Sequence, residues 1–174
     1  MAERKEAFVI SEELFHELSP VSGDLDWEYI FPNILMTQDK WIQPVLGQKL
    51  YEKIMAEIDA GTLADPYKLL VDDYVARTVV WFTCYLGLPF WGIKVVNSGV
   101  VQRVVDDGTP LVLNDIDKIA KRCQENGEWY KQRLIDYLCA HSKDFPEYTV
   151  CESGEVSAEK RNYSAGLNME SYLK

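Results

Sequence analysis

A chain of 174 residues with 47% hydrophobic and 12% aromatic content can bury a proper core, which excludes disorder of the whole chain and predicts one domain with an appendage. The formal net charge of -10 argues against a general phosphate-backbone binder, because such proteins neutralise phosphates with clustered Lys and Arg. The start MAERKEAFVIS reads as too charged for an export signal, and no apolar run approaches the ~18 residues needed to span a bilayer, so no membrane partner is expected.

Ser11 followed by Glu12 and Glu13 predicts an N-cap with acidic residues in the first turn, and hence a short helix from Ser11 to Leu18 closed by Ser19-Pro20. A second helix is expected from Asp24 or Asp26 to Trp41 or Ile42, with Pro32 in its first turns or at a kink. Apolar residues recur at near-helical period at Trp27, Ile30, Ile34, Trp41 and Val45, then at Leu46, Leu50, Ile54 and Ile58. Pro44 and Gly47 are expected to break this pattern into a helical hairpin whose second arm, Gln48 to Ala60, ends at Gly61.

Asp65-Pro66 reads as an N-cap aspartate with proline at the first helical position. The helix that follows carries Leu70, Val71, Tyr74, Val75, Thr78, Val79, Phe82 and Tyr85 and is expected to be the central core helix, ending near Gly87 with Pro89 as a stop. From Ile93 to Leu113 the pattern changes to valine-rich segments broken by Asn97-Ser98-Gly99 and Asp107-Gly108, which predicts a small β-hairpin leaning on the helices or on another subunit. Asn114 is expected to cap a long last helix to about Ala140, with Ile116, Ile119, Ala120, Cys123, Tyr130, Leu134, Tyr137 and Leu138 facing inward. After Ser142 the period is lost, yet Phe145, Tyr148, Val150, Tyr163, Leu167, Tyr172 and Leu173 remain as anchors. They suit an arm that docks on a neighbouring molecule or a terminus packed on its own chain.

The fold class read from this order is mainly α: a bundle of four to five helices over 1–141 with a β insert at 93–113, and an extended C-terminal arm over 142–174. Cys84, Cys123, Cys139 and Cys151 lack any Cys-x-x-Cys pair and read as reduced thiols of a cytosolic protein.

Candidate chemistry is sparse. Glu13 and His16 share the Glu-x-x-His spacing of carboxylate-bridged metal pairs, but His141, the other histidine, has no glutamate at that spacing, so both read as surface residues. The pairs Asp72-Asp73 and Asp106-Asp107 read as solvated charge, since neighbours on a helix do not face each other and Asp106-Asp107 precedes a turn glycine. No phosphate-cradling glycine loop occurs, and Trp41, Trp81, Trp91 and Trp129 read as core or interface residues. No catalytic, cofactor or metal residue is therefore expected, and no cofactor. A helical metalloprotein using Glu13 and His16 is the third-ranked reading.

The N-terminal Ile-Ser-x-x-x-Leu helix, the helix ending in Trp41-Ile42-x-Pro-x-Leu-Gly47 and the following x-x-Leu-Tyr51-x-x-Ile helix resemble the head-to-tail connector proteins of tailed bacteriophages, also called adaptor or head-completion ring proteins. The likeness extends through Tyr67 to Leu86, Asn97 to Val101 and Asp115 to Ala140, and is nearest to connectors of crAss-like phages and Bacteroides-type prophages. The resemblance implies a non-enzymatic virion protein at the head-tail junction, present in the host cytoplasm during assembly. It implies partners too: the portal protein, neighbouring copies in a twelve-fold ring, downstream ring or tail proteins, and DNA passing without specific binding. Val95, Val96, Val100, Val101, Val104, Tyr148, Tyr163 and Tyr172 are the expected interface residues. The alternative from another class is a cytosolic helical binding or regulatory module with an apolar groove.

Overall fold

Ser11 does what its residue type predicts: its Oγ accepts the Leu14 N–H at 3.3 Å and opens α1, Glu12–Leu18, with Phe15 buried beneath it. The computed structural model describes residues 8–21, 25–96, 99–102, 112–149 and 157–158. These form a mainly helical body built on five helical rods.

The second rod begins with α2, Trp27–Thr37, and widens into a π-helical turn, Gln38–Ile42, in which the Gln43 N–H reaches the Gln38 carbonyl five residues back. It then continues as α3, Gln43–Leu46. The expected break at Pro44 is thus corrected, because the helix runs through Pro44 and stops at Gly47. The π turn shifts the hydrogen-bond ladder by one residue, so Pro44 falls in the first turn of α3, where its missing N–H leaves little unsatisfied. Gly47 holds φ +75°, and a Cβ there would lie 3.0 Å from the backbone nitrogen of Ala158, so both conformation and space demand glycine.

α4 spans Gln48–Ala60 as predicted, with Leu50 and Ile54 inward. Gly61 at φ +66° closes it: its N–H bonds Ile58 O at 3.1 Å and the Thr62 N–H bonds Glu57 O at 2.9 Å, the paired bonds of a Schellman cap. Asp65 does not cap the next helix. The Asp65-Pro66 bond is cis, α5 covers Tyr67–Leu70, and the Lys68 and Leu70 N–H groups bond the Ala64 and Pro66 carbonyls instead of a carboxylate.

A second π-helical turn, Val71–Val75, joins α5 to α6, Ala76–Trp91. α6 is the predicted central helix, with Val79, Val80, Phe82, Thr83 and Cys84 wholly buried. Its expected end near Gly87 is corrected to Trp91. The Trp91 indole lies so close over Gly87 that a Cβ would sit 2.1 Å from it, and its Nε1–H donates to Tyr29 O at 3.0 Å. This anchor on α2 holds the last turn together although Pro89 leaves the Tyr85 carbonyl without its helical donor.

β1, Ile93–Val96, pairs antiparallel with β2, Gly99–Gln102, placing Val95 opposite Val100. So small a ribbon adds no layer, and residues 103–111 of the expected insert lie outside the described residues.

α7, Leu113–Ala140, lies along α6 and reaches the predicted end. Its N-cap is Val112 instead of Asn114: the helix starts at Leu113, so Asn114 is already inside the first turn. Ala120, Cys123, Leu134 and Leu138 are buried as expected, but Ile119 is exposed and Ile135 is buried. The inward stripe is narrower than a broad apolar reading implies, and Ile119 falls off its edge.

Phe145, wholly buried, and Tyr148 then fold back into the core, with a 3-10 turn at Pro146–Thr149. The described part of the segment expected as an arm, up to Thr149, therefore belongs to the body.

Candidate interaction surfaces

Of the interface residues expected from sequence, Val95, Val96, Val100 and Val101 fall in the paired strands. Tyr148 is buried in the chain's own core, its hydroxyl 3.7 Å from Cys139 Sγ, because the turn at Pro146 directs it inward. Val104, Tyr163 and Tyr172 lie outside the described residues, as do Asp106, Asp107 and Cys151. Glu13 and His16 are exposed on α1, far in sequence and element from His141 at the end of α7. The Glu13 carboxyl is held below its ordinary range by a backbone hydrogen bond and the Ser11 hydroxyl. Among the described residues no group of three or more His, Cys, Asp or Glu converges as a metal site, and no helix is long and apolar enough to cross a membrane. Asp72 and Asp73 project into solvent from the second π turn. Burial pushes the Cys84 thiol up to about 12 and raises that of Cys123, which makes both inert packing groups.

Tertiary structure also assembles a polar clasp. Lys53 Nζ on α4 donates to Glu147 Oε1 at 2.7 Å and to Tyr67 Oη at 2.8 Å, while the Tyr67 hydroxyl donates to Glu147 Oε2 at 2.9 Å. Burial raises the Glu147 carboxyl, but the Lys53 bond, its own backbone bond and Tyr67 outweigh this and leave it below its ordinary value. Lys53 is raised, chiefly by Glu147 and then Tyr67. Phe145 sets its ring against Tyr67 edge to face at 5.4 Å, so the clasp and this ring contact together fasten the 3-10 turn to α4 and α5. Each of the three groups in this closed triangle is hydrogen-bonded to the other two, and Lys53 is held protonated.

Aromatic residues make two further seams. Inside, Trp41 stacks on Phe82 at 4.3 Å and 8°, and Phe82 lies against Gly127 so closely that a Cβ there would be 3.0 Å from its ring. Outside, residues four apart on α7 form a column: Trp129, Arg133, Tyr137 and His141. Arg133 lies over the rings of Tyr74 at 5.2 Å and Trp129 at 5.9 Å, Tyr74 stacks on Tyr137 at 4.1 Å, and His141 stacks on Tyr137 at 4.3 Å. Burial raises the Tyr137 hydroxyl, with Tyr74, Asp144 and Asp73 adding to it.

Tyr29 and Met36 on α2, Leu69 on α5 and Ile119 on α7 are exposed apolar side chains, and two further places expose others. One surrounds the root of the strand pair, where Phe90, Ile93 and Val112 sit at the adjoining ends of α6, β1 and α7. The other centres on Trp129, 60% exposed, seventeen residues further along, or about 25 Å of helix axis. The residue types at the second surface, Trp, Tyr and Arg, are those that dominate binding energy at protein interfaces. The i, i+4 repeat from Trp129 to His141 could have been found in the sequence. The partnership with Tyr74 could not, because a π turn positions it.

A comparison with curated proteins and one with solved structures each return no match. A family model described as a family of unknown function, DUF6712, matches residues 42–158. That span runs from the last residue of the first π turn, through the clasp, the outer aromatic column and the Phe82–Gly127 contact, to Ala158 over Gly47, and on it the chain belongs to the DUF6712 family.

Proposed function

We propose that this chain is a structural subunit of a ring-forming adaptor, the head-tail connector of a tailed bacteriophage, acting by docking and not by catalysis. The observation that carries the reading is the pair of exposed apolar surfaces, one at Phe90, Ile93 and Val112 and one at Trp129, set apart on a helical body. A closed ring uses a heterologous contact, so each subunit needs two different adhesive surfaces, and a platform for a further ring needs another. The resemblance carried by Trp41 to Tyr51 supports the same role. In this reading the strand pair is the base of a β insert over 93–113 that meets a neighbour through its valines. Portal protein, neighbouring copies and the next ring or tail protein are the partners. The net charge of -10 suits a channel through which DNA slides without adhering.

Mass photometry and negative-stain electron microscopy of the purified protein, with and without portal protein, test the proposal. Rings on or beside the portal are expected. Monomers alone in both mixtures would sink it.

A further inference from the structure

Residues 8–21 lie on the body as a strap, and its hold on the body comes from side chains. Val9 and Ile10 enter the core, followed by Phe15, the buried residue of α1. A helix of seven residues does not keep its shape alone in water, so α1 is ordered by the seat it lies on. Among the described residues no backbone-to-backbone hydrogen bond joins 8–21 to the rest of the chain. The ties are the Val9 N–H donated to Gln38 Oε1 at 3.0 Å, the Phe8 ring set edge-on to Trp27 and Phe31 at 6.0 and 6.2 Å, and Ser19 Oγ lying 3.5 Å from Cys84 Sγ.

Gln38 is wholly buried in the first π turn and uses both ends of its amide, Oε1 for the strap and Nε2 for Tyr51 Oη on α4 at 3.4 Å. A strap lifted only part way would take the buried Val9 N–H off its acceptor before water could reach it, which is costly. The closed and the fully lifted arrangements are thereby favoured over any between them. α6 and α7 are long, pack along each other and keep their own hydrogen-bond ladders in both.

We propose that residues 8–21 open as a unit while the body from α2 to α7 stays folded, with Gln38 as the latch and the Cys84 thiol as the group that the strap covers. In the closed form Cys84 is wholly buried beside Ser19, and burial keeps its thiol up at about 12. Opening brings water to it and returns its acidity toward the ordinary value, so the position of the strap sets the reactivity of Cys84. The inference stands apart from the ring reading and is tested on the purified chain alone.

Hydrogen–deuterium exchange and maleimide labelling of the full chain, both resolved by peptide, read the opening. In wild type the amides from Phe15 to Ser19 should exchange at least about tenfold faster than those in the middle of α6 and α7, since a local opening costs less than global unfolding. Ser11→Ala removes the cap of α1 without touching the body, and should speed both this exchange and the labelling of Cys84 about fivefold. Gln38→Leu should speed both about tenfold and leave exchange in the middle of α6 and α7 unchanged. If Phe15 to Ser19 exchange together with α6 and α7, or if Ser11→Ala speeds their exchange without speeding the labelling of Cys84, the strap is no separate cover and the inference fails. If Gln38→Leu speeds exchange equally throughout the chain, Gln38 is a packing group and the latch is refuted.

Discussion

The two aromatic seams use similar rings under opposite conditions. The Trp41–Phe82–Gly127 seam is dry and glycine-fitted, with Phe82 wholly buried, whereas the Trp129–Arg133–Tyr74–Tyr137–His141 column is open to solvent and bridged by a cation. The inner seam binds the first π turn, α6 and α7 into one body through area removed from water and close packing, terms that are large and sensitive to a single methyl. In the outer column Tyr74 and Tyr137 are half-buried against the core, while Trp129 and Arg133 stay exposed. Its rings are held in place for another surface to use.

That contrast breaks most sharply at Phe82. Phe82→Ala should cost about 3–5 kcal/mol in urea unfolding, because it removes a buried ring and leaves a cavity between Trp41 and α7; a loss below about 1 kcal/mol would mean the seam is not a keystone. Gly127→Val should follow, destabilising by about 1–3 kcal/mol, since Phe82 is pinned by Trp41 and cannot yield to a new side chain. Pairing Gly127→Val with Phe82→Leu should recover part of the loss, and strict additivity would deny that the two positions touch.

Glu147→Gln comes third, at about 1 kcal/mol after allowing for solvent screening of a half-open pair. The sign is fixed by the directions of the shifts. Glu147 lies below its ordinary 4.5 in the folded chain, so its contribution is present above that pH and is lost as pH falls through the folded value. Lys53 lies above its ordinary 10.5, so its contribution is present below that pH and is lost as pH rises through the folded value. Wild type and Glu147→Gln should therefore differ most in melting temperature near neutral pH and converge in acid; parallel curves from pH 7 to 3 would remove the clasp from the account. Trp129→Ala should shift stability least, within about 0.5 kcal/mol, while reducing self-association. A large stability loss would make Trp129 a packing residue and erase the distinction between the seams.

How much of this was legible beforehand varies by element. The caps at Ser11 and Gly61 were, because capping is a local agreement between residue type and backbone. The identity of the central helix was as well, since Val79 and Phe82 keep their period whatever surrounds them. Pro44, Pro89 and Asp65 misled for different reasons: a π turn moved Pro44 into a first turn, the Trp91 anchor on Tyr29 carried α6 past Pro89, and the Ala64 and Pro66 carbonyls took the bonds expected of Asp65. Gly127 shows the converse, being an unremarkable helical glycine until Phe82 is brought against it. The clasp was wholly illegible, as it joins residues separated by 14, 80 and 94 positions.

By itself the sequence determined the mainly helical class and the periodic faces of α4 and α6, which depend on spacing within a few turns. Only the tertiary structure decided where α3 and α6 end, that Phe145 and Tyr148 return to the core, and which aromatic rings are buried and which remain available. Those outcomes depend on energies between segments far apart in the chain: a Trp91 ring over Gly87, an Ala158 backbone over Gly47, a Phe82 ring on Gly127. No local pattern encodes a neighbour that arrives only on folding.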